Sequence, residues 1–139
     1  MNIHNDVIYV KTTYDTDIID ITYEVREKVL QSGINNGNIL LFISGSTGAL
    51  TTIEFESGVI NDLRDAIERI APKDMHYEHD LKWGDGNGYS HVRAALLGVS
   101  LTIPLVDRIL LLGKWQQLVL LDFDNHPRKR EIRIQIIGE

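Results

Sequence analysis

Two histidines, His79 and His91, bracket a loop that reads Asp85-Gly86-Asn87-Gly88 between Trp83-Gly84 and Tyr89-Ser90. An imidazole near neutral pH can carry a proton or ligate a metal ion. Glycines tolerate unusual backbone angles and let main-chain N–H groups approach a ligand closely. The loop runs into Ser90, a residue type suited to capping a helix, and an apolar stretch from Val92 to Leu97. A helix start carries free N–H groups and partial positive charge, so it can hold an anion. Asp85, Gly86, Asn87, Gly88, Ser90 and Arg93 are therefore candidates for gripping a phosphate or hydroxyl group. Arg93 would do so bidentately only if it points back toward the loop, and pairing with a neighbouring carboxylate fits it equally well. The two histidines would serve equally well as braces, hydrogen-bonded to the loop backbone.

For a metal site the chain must use His, Asp or Glu, because it has no cysteine. A catalytic zinc takes three protein ligands and keeps an open position. His79 and His91 supply two, and Glu54 or Asp85 is the candidate third. Glu54 could also act as a general acid or base if buried, or simply favour the helix start that follows it. No aspartate cluster suited to magnesium stands out. Gly45-Ser46-Thr47-Gly48 follows an apolar run, where the hydroxyls of Ser46 and Thr47 could meet phosphate oxygens. It lacks the spacing of a nucleotide-binding loop, and a plain turn fits it as well. His4, His76 and His126 have no supporting residues and read as structural or solvated. Trp83 and Trp115 suit packing or stacking on a flat ring.

These residues need a scaffold, and 139 residues suit one domain spanning 1–139. With 43% hydrophobic and 24% charged residues and a net charge of −6, the composition is that of a soluble protein. It argues against nucleic-acid binding, which needs a positive footprint. Pro127-Arg128-Lys129-Arg130 reads as a charged turn. No apolar run approaches a membrane span and no signal peptide is evident, which predicts a cytoplasmic protein.

Strands are predicted over Asp6–Thr13, Asn38–Ser44, Ser100–Val106, Leu110–Leu112, Trp115–Phe123 and Arg130–Ile137. The run at Asn38–Ser44 reads as buried on both faces. In the last strand Ile132, Ile134 and Ile136 alternate with Glu131, Arg133 and Gln135. Helices are predicted from Asp20 to Gln31, with Tyr23, Val25, Val29 and Leu30 on its apolar face, and from Ser57 to just before Pro72. A short one follows the glycine loop. Six or seven strands, two longer helices and one short helix make an α+β fold with a largely antiparallel or mixed sheet. Short links predict that the last four strands meander, and the apolar run to Phe123 reads as covered on both faces.

Several blocks in order resemble the YjbQ family. They are Gly45-Ser46-Thr47 with Ile53-Glu54, Tyr77-x-His79, Asp85-Gly86-Asn87-Gly88 and Ser90-His91-Val92-Arg93-Ala94. Leu96-Leu97-Gly98-x-Ser100-Leu101-Thr102-Ile103-Pro104, Leu112-Gly113-x-Trp115-Gln116-Gln117, Pro127-Arg128 and Gly138-Glu139 complete the set. The resemblance implies an α+β subunit that assembles as a homotrimer, a histidine-lined site able to take a divalent metal such as Zn or Mg, and a thiamine-phosphate synthase activity. It implies His79, His91 and Glu54 as catalytic residues, with His79 and His91 as metal ligands. It also marks Gly45, Gly84 and Tyr89 as positions where relatives carry histidine. A small phosphorylated or anionic ligand follows on either reading, enzyme or non-catalytic binding trimer.

Overall fold

The computed structural model describes residues 1–13 and 16–139. Its first strand, β1 (Asn2–Lys11), begins four residues earlier than predicted. A short strand follows, β2 (Asp17–Asp20), which the sequence did not announce, and helix α1 (Thr22–Ser32) starts two residues late. Asp20 turns the chain there, its Oδ1 accepting the Thr22 N–H at 2.9 Å and hydroxyl at 2.6 Å. Helix α1 buries Val25 and Val29 as predicted, but Tyr23 is 70% exposed and Leu30 53%. Gly33 ends it in the left-handed region at φ 73°, where a side chain would be strained.

Strand β3 (Gly37–Ser44) does not bury both faces. Ile39, Leu41 and Ile43 point into the core while Leu40 and Phe42 are exposed on the other side. Strand β4 (Gly48–Ile53) was not foreseen, since its Gly-Ala-Leu-Thr-Thr-Ile run alternates weakly. Helix α2 (Ser57–Ile70) matches prediction, with Ile60 and Ile67 buried. The Glu56 carboxylate caps it by accepting the Gly58 and Val59 N–H groups at 2.8 and 2.9 Å. Helix α3 (Glu78–Trp83) is too short to have shown a period, and α4 (Gly88–Leu97) follows the glycine loop. Strand β5 (Ser100–Val106) has its predicted limits. The Leu110 run shrinks to a two-residue β6 (Ile109–Leu110), and β7 (Gln117–Asp122) and β8 (Lys129–Gly138) complete the chain.

Among the described residues this makes eight strands and four helices, all six strand pairings antiparallel. The predicted meander does not form. One sheet runs β1-β8-β3-β5-β6 and the other β2-β7-β4. The reason lies in β7, whose Leu118 to Asp122 are all buried. Its two apolar faces need two covers, which a strand in an outer sheet lacks. Leu118 and Leu120 join Leu50 in the core shared with the five-stranded sheet and α1. Val119 and Leu121 face the other way, toward Ile60 and Ile67 of α2 and Ala94 of α4. The layers are therefore sheet, sheet, and helices α2 and α4, with α1 packed into the first core, and the expected two-sided burial of this strand is met. The alternation read in β8 also holds, with Ile132, Ile134 and Ile136 buried. No helix among the described residues is long and apolar enough to cross a membrane.

A buried polar knot ties the two sheets at one end. Arg130 of β8 donates from Nε and Nη2 to the two carboxylate oxygens of Asp122 in β7, at 2.9 and 2.8 Å. Its Nη2 also reaches the Thr47 hydroxyl at 2.7 Å, and the Thr12 hydroxyl donates to Asp122 at 2.5 Å. Beside this, Arg128 pairs with the fully buried Asp124 at 2.8 Å. Only part of the basic run is the charged turn expected: Pro127, Arg128 and Lys129 are exposed, Arg128 pairing with Asp124 and Lys129 lying 4.7 Å over the Tyr9 ring, while Arg130 is buried. A guanidinium removed from water needs a matched, hydrogen-bonded carboxylate. Replacing Asp122 by Ala strands that charge, and urea unfolding should show a loss of about 3–5 kcal/mol. A loss below about 1 kcal/mol would mean the knot does not hold the sheets.

Candidate functional site around His79 and His91

Helix α3 and the first turn of α4 carry the two histidines, and the glycine loop folds the helices onto each other. Gly84 closes α3 in the left-handed region at φ 69°, its N–H bonded to the Asp80 carbonyl at 2.9 Å. Gly86 repeats that backbone form at φ 68°. Gly88 has a different reason to be glycine. A Cβ there would lie 2.6 Å from the Tyr77 Cβ and 3.0 Å from the Asp80 Oδ1. The close approach lets the Gly88 N–H donate to Asp80 Oδ1 at 2.9 Å. That carboxylate, rather than Ser90, satisfies the start of α4. Ser90 is fully buried and donates to the Asn87 carbonyl at 2.5 Å.

This fold brings the His79 and His91 rings together, their centroids 4.5 Å apart and planes tilted by 44°. His79 Nδ1 lies 3.4 Å from Asp80 Oδ1 and 3.6 Å from Asp85 Oδ1. One donor atom from each of His79, Asp80 and Asp85 lies within 4.8 Å of the others. Asp80 was missed in the sequence, although it adjoins His79 and precedes Asp85 by five residues across a helix stop at Gly84. That stop is what turns the two carboxylates toward one point. His91 lies against the His79 ring, and both imidazoles are part-buried.

The loop is held from below by the polar knot. Asn87, buried, donates from Nδ2 to Asp124 Oδ1 at 3.2 Å, and Asn125 donates to the Asp85 carbonyl at 2.8 Å. The Asn87 Oδ1 is buried with no hydrogen-bond partner among the described residues. Asp124 titrates far below an ordinary carboxyl. Burial pushes its pKa up, but hydrogen bonds from Asn87, the Asn125 N–H, Arg128 and Thr47 outweigh it and set it at about 2 instead of 3.8.

Other expected site residues lie elsewhere. Thr47 is built into the knot, its hydroxyl 3.0 Å from Asp124 Oδ2, and Ser46 is exposed beside it. Arg93 does not turn to the loop. It is buried, donates to the Ala71 carbonyl at 2.9 Å and the Thr16 hydroxyl at 3.2 Å, and pairs with Glu68 at 2.5 Å. Its guanidinium lies 4.9 Å over the ring of buried Tyr89. Glu54 follows the far end of β4. Gly48 is paired with Asp122 and Ile53 with Gln117, which puts roughly 17 Å of strand between Glu54 and the Asp122 end. Within one chain Glu54 therefore lies apart from His79. His76 is exposed, His126 lies on an exposed turn 3.7 Å from Asp124, and His4 is 3.5 Å from Asp6. Neither tryptophan is in the core: Lys82 lies over Trp83 at 5.2 Å and Lys114 over Trp115 at 4.9 Å.

This loop, with its histidines and its tie to the knot, sits in a chain whose residues 6–139 match the model of the UPF0047 protein YjbQ-like family. The chain belongs to the YjbQ-like UPF0047 family. A UPF0047 protein of Methanothermobacter thermautotrophicus is 34% identical over 139 residues, covering all of this chain and 95% of the relative. One of Archaeoglobus fulgidus is 35% identical over 127 residues, or 91% of this chain and 96% of the other. Among solved structures, a YbjQ-like protein of unknown function from Sulfolobus solfataricus superposes with a TM-score of 0.94. It is 33% identical, with 99% of each chain covered. A hypothetical protein from Aeropyrum pernix gives 0.91 at 27% identity, covering 98% of this chain and 99% of that one. The α+β fold of this YjbQ-like chain, with its antiparallel sheets, is thus the fold of its relatives.

The low pKa of Asp124 makes the knot acid-sensitive in a defined window. A carboxyl at about 2 in the folded chain and 3.8 when unfolded contributes fully above 3.8 and loses its contribution as pH falls through 2. The whole is worth about 2 kcal/mol. Asp124→Asn should flatten the fall in unfolding free energy between pH 4 and pH 2, measured by urea titration; an unchanged slope would remove Asp124 from the acid response.

Proposed function

We propose that this YjbQ-like protein is a small acid–base enzyme that handles a phosphorylated heterocycle, in a reaction of the thiamine-phosphate synthase type, at the His79/His91 site. The observation that carries this is the convergence of His79, Asp80 and Asp85 within 4.8 Å, beside a second imidazole in ring contact. One nitrogen and two carboxylate donors suit a divalent cation such as Zn or Mg. A bound cation of that kind neutralises charge on a phosphate or a departing pyrophosphate.

The chain's own groups have separable duties. Asp80 positions the start of α4 and, with Asp85, faces the His79 ring; His91 is the part-exposed group able to move a proton at the substrate. Of the cationic side chains that flank the loop in sequence, Arg93 is committed to Glu68 and Lys82 lies over the Trp83 ring. The loop thus presents carboxylates to an incoming phosphate, and a cation between them resolves that repulsion. Assembly into a homotrimer is part of the proposal. It is supported by Leu40, Phe42, Tyr9 and Ile3, which stand exposed on the outer face of the five-stranded sheet.

A second reading, a non-catalytic trimer that captures a divalent ion or a phosphorylated metabolite, is favoured by the separation of Glu54 from the histidines. Calorimetric titration with Mn²⁺ and Zn²⁺ and assays of thiamine phosphate formation divide the two. Asp85→Asn should weaken ion binding by about tenfold. His91→Ala should retain the ion and lower turnover by about 10²-fold or more. Ion binding without turnover in the wild-type protein would leave the second reading standing. Wild-type ion affinity in Asp85→Asn would dispose of the three-donor site.

A further inference from the structure

At the opposite end of β4 from the histidine site, a cleft of about 470 Å³ lies between the Glu54 turn and the loop leading into β7. Asp20, Glu54, Phe55, Glu56, Lys114 and Trp115 line it, with Gln117. Its walls are stapled. The Phe55 N–H donates to Gln117 Oε1 at 3.1 Å, and Gln116 bridges the Gly113 N–H and the Thr52 hydroxyl at 3.0 and 3.1 Å. Two glutamines thereby fix the 113–117 loop against the end of β4 and hold Trp115 facing the cleft while it stays 65% exposed. So large an apolar surface left in water at a braced position asks for a contact.

Most of the cleft's polar groups are spent. Asp20 is bonded to Thr22, and both Glu56 oxygens cap α2. Gln117 also donates to the Lys114 carbonyl at 3.4 Å. Glu54 is exposed, and its carboxylate has no hydrogen bond or ion pair among the described residues. The Trp115 face is already in use in a telling way, for the Lys114 ammonium sits 4.9 Å above the ring. A ring face that holds an ammonium attracts cations through its quadrupole. Three carboxylates against one lysine give the cleft a negative balance.

We propose that this cleft binds an organic cation: an ammonium group on a flat apolar body, its charge between Glu54 and the Trp115 face, its ring against Phe55, with Lys114 displaced. The bound ammonium takes the place that Lys114 holds in the free protein, so the lysine acts as an internal competitor. Within one chain this cleft is separate from the histidine loop, and its failure would leave the reading of that loop untouched.

The probe is benzylamine, protonated at pH 7, against neutral benzyl alcohol of nearly the same shape. The readout is Trp115 fluorescence in a Trp83→Phe background, which leaves a single indole. Benzylammonium should quench saturably with a Kd near 1 mM, as suits a ligand of about eight heavy atoms in an open cleft. Benzyl alcohol, and benzylammonium with Glu54→Gln, should each bind about fivefold more weakly. Lys114→Ala should tighten binding by about twofold to fivefold by removing the competitor. Glu54 and Lys114 are both exposed, so neither change threatens the fold. Equal binding of the alcohol, unchanged affinity in Glu54→Gln, weaker binding in Lys114→Ala, or no saturation would each overturn the proposal.

Discussion

The bidentate pair between Arg130 and Asp122 is the constraint on which the rest of the chain leans. It joins a strand of the outer sheet to the central strand of the inner one, at a place where neither group meets water. Apolar packing between the sheets is non-directional and would permit sliding. A planar guanidinium held by two oxygens and the Thr47 hydroxyl permits one register. Thr12, after β1, and Thr47, before β4, add their hydroxyls to the same carboxylates and their neighbours. Four chain segments far apart in sequence therefore share one small polar centre.

The candidate site hangs from that centre. Asp124 is two residues beyond Asp122, and its N–H donates back to Asp122 Oδ1 at 3.0 Å. Through Asn87, Asp124 holds the glycine loop, and through the loop it sets where Asp85 stands relative to His79. Rigid support beneath a mobile-looking composition is what a binding loop needs, because a donor set displaced by an ångström no longer converges. The glycines here serve geometry more than freedom: Gly84 and Gly86 turn the chain, and Gly88 clears space for Tyr77.

How much of this was legible beforehand follows from the range of each signal. The β8 alternation showed its inward face because period two is local. The apolar run into Phe123 disclosed burial on both sides, and Ile60, Leu63 and Ile67 disclosed α2. The meander failed because link length does not say which sheet a strand joins; that was settled by β7 needing cover on two faces. The six residues of α3 are too few to display helical spacing. At the site, His79 and His91 stood out by composition, while Asp80 was hidden as one acid among twenty Asp and Glu residues. Arg93 could be read either way and Arg130 was read as solvated, for a shared reason. A buried guanidinium and a solvated one look alike in a sequence, and their carboxylate partners lie 25 and 8 residues away.

Gly45 has a consequence for the core that joins the sheets. Its backbone sits at φ 148°, and a Cβ there would come within 2.8 Å of Arg130 Nη1. That nitrogen belongs to a group already pinned on its other atoms by Asp122 and Thr47. The histidine that the family resemblance places at this position cannot be restored here by a single substitution without disturbing the guanidinium. Positions 45 and 130 are therefore energetically coupled, and their effects will not add. In this chain a side chain at position 45 has to be accommodated by the guanidinium that joins the two sheets.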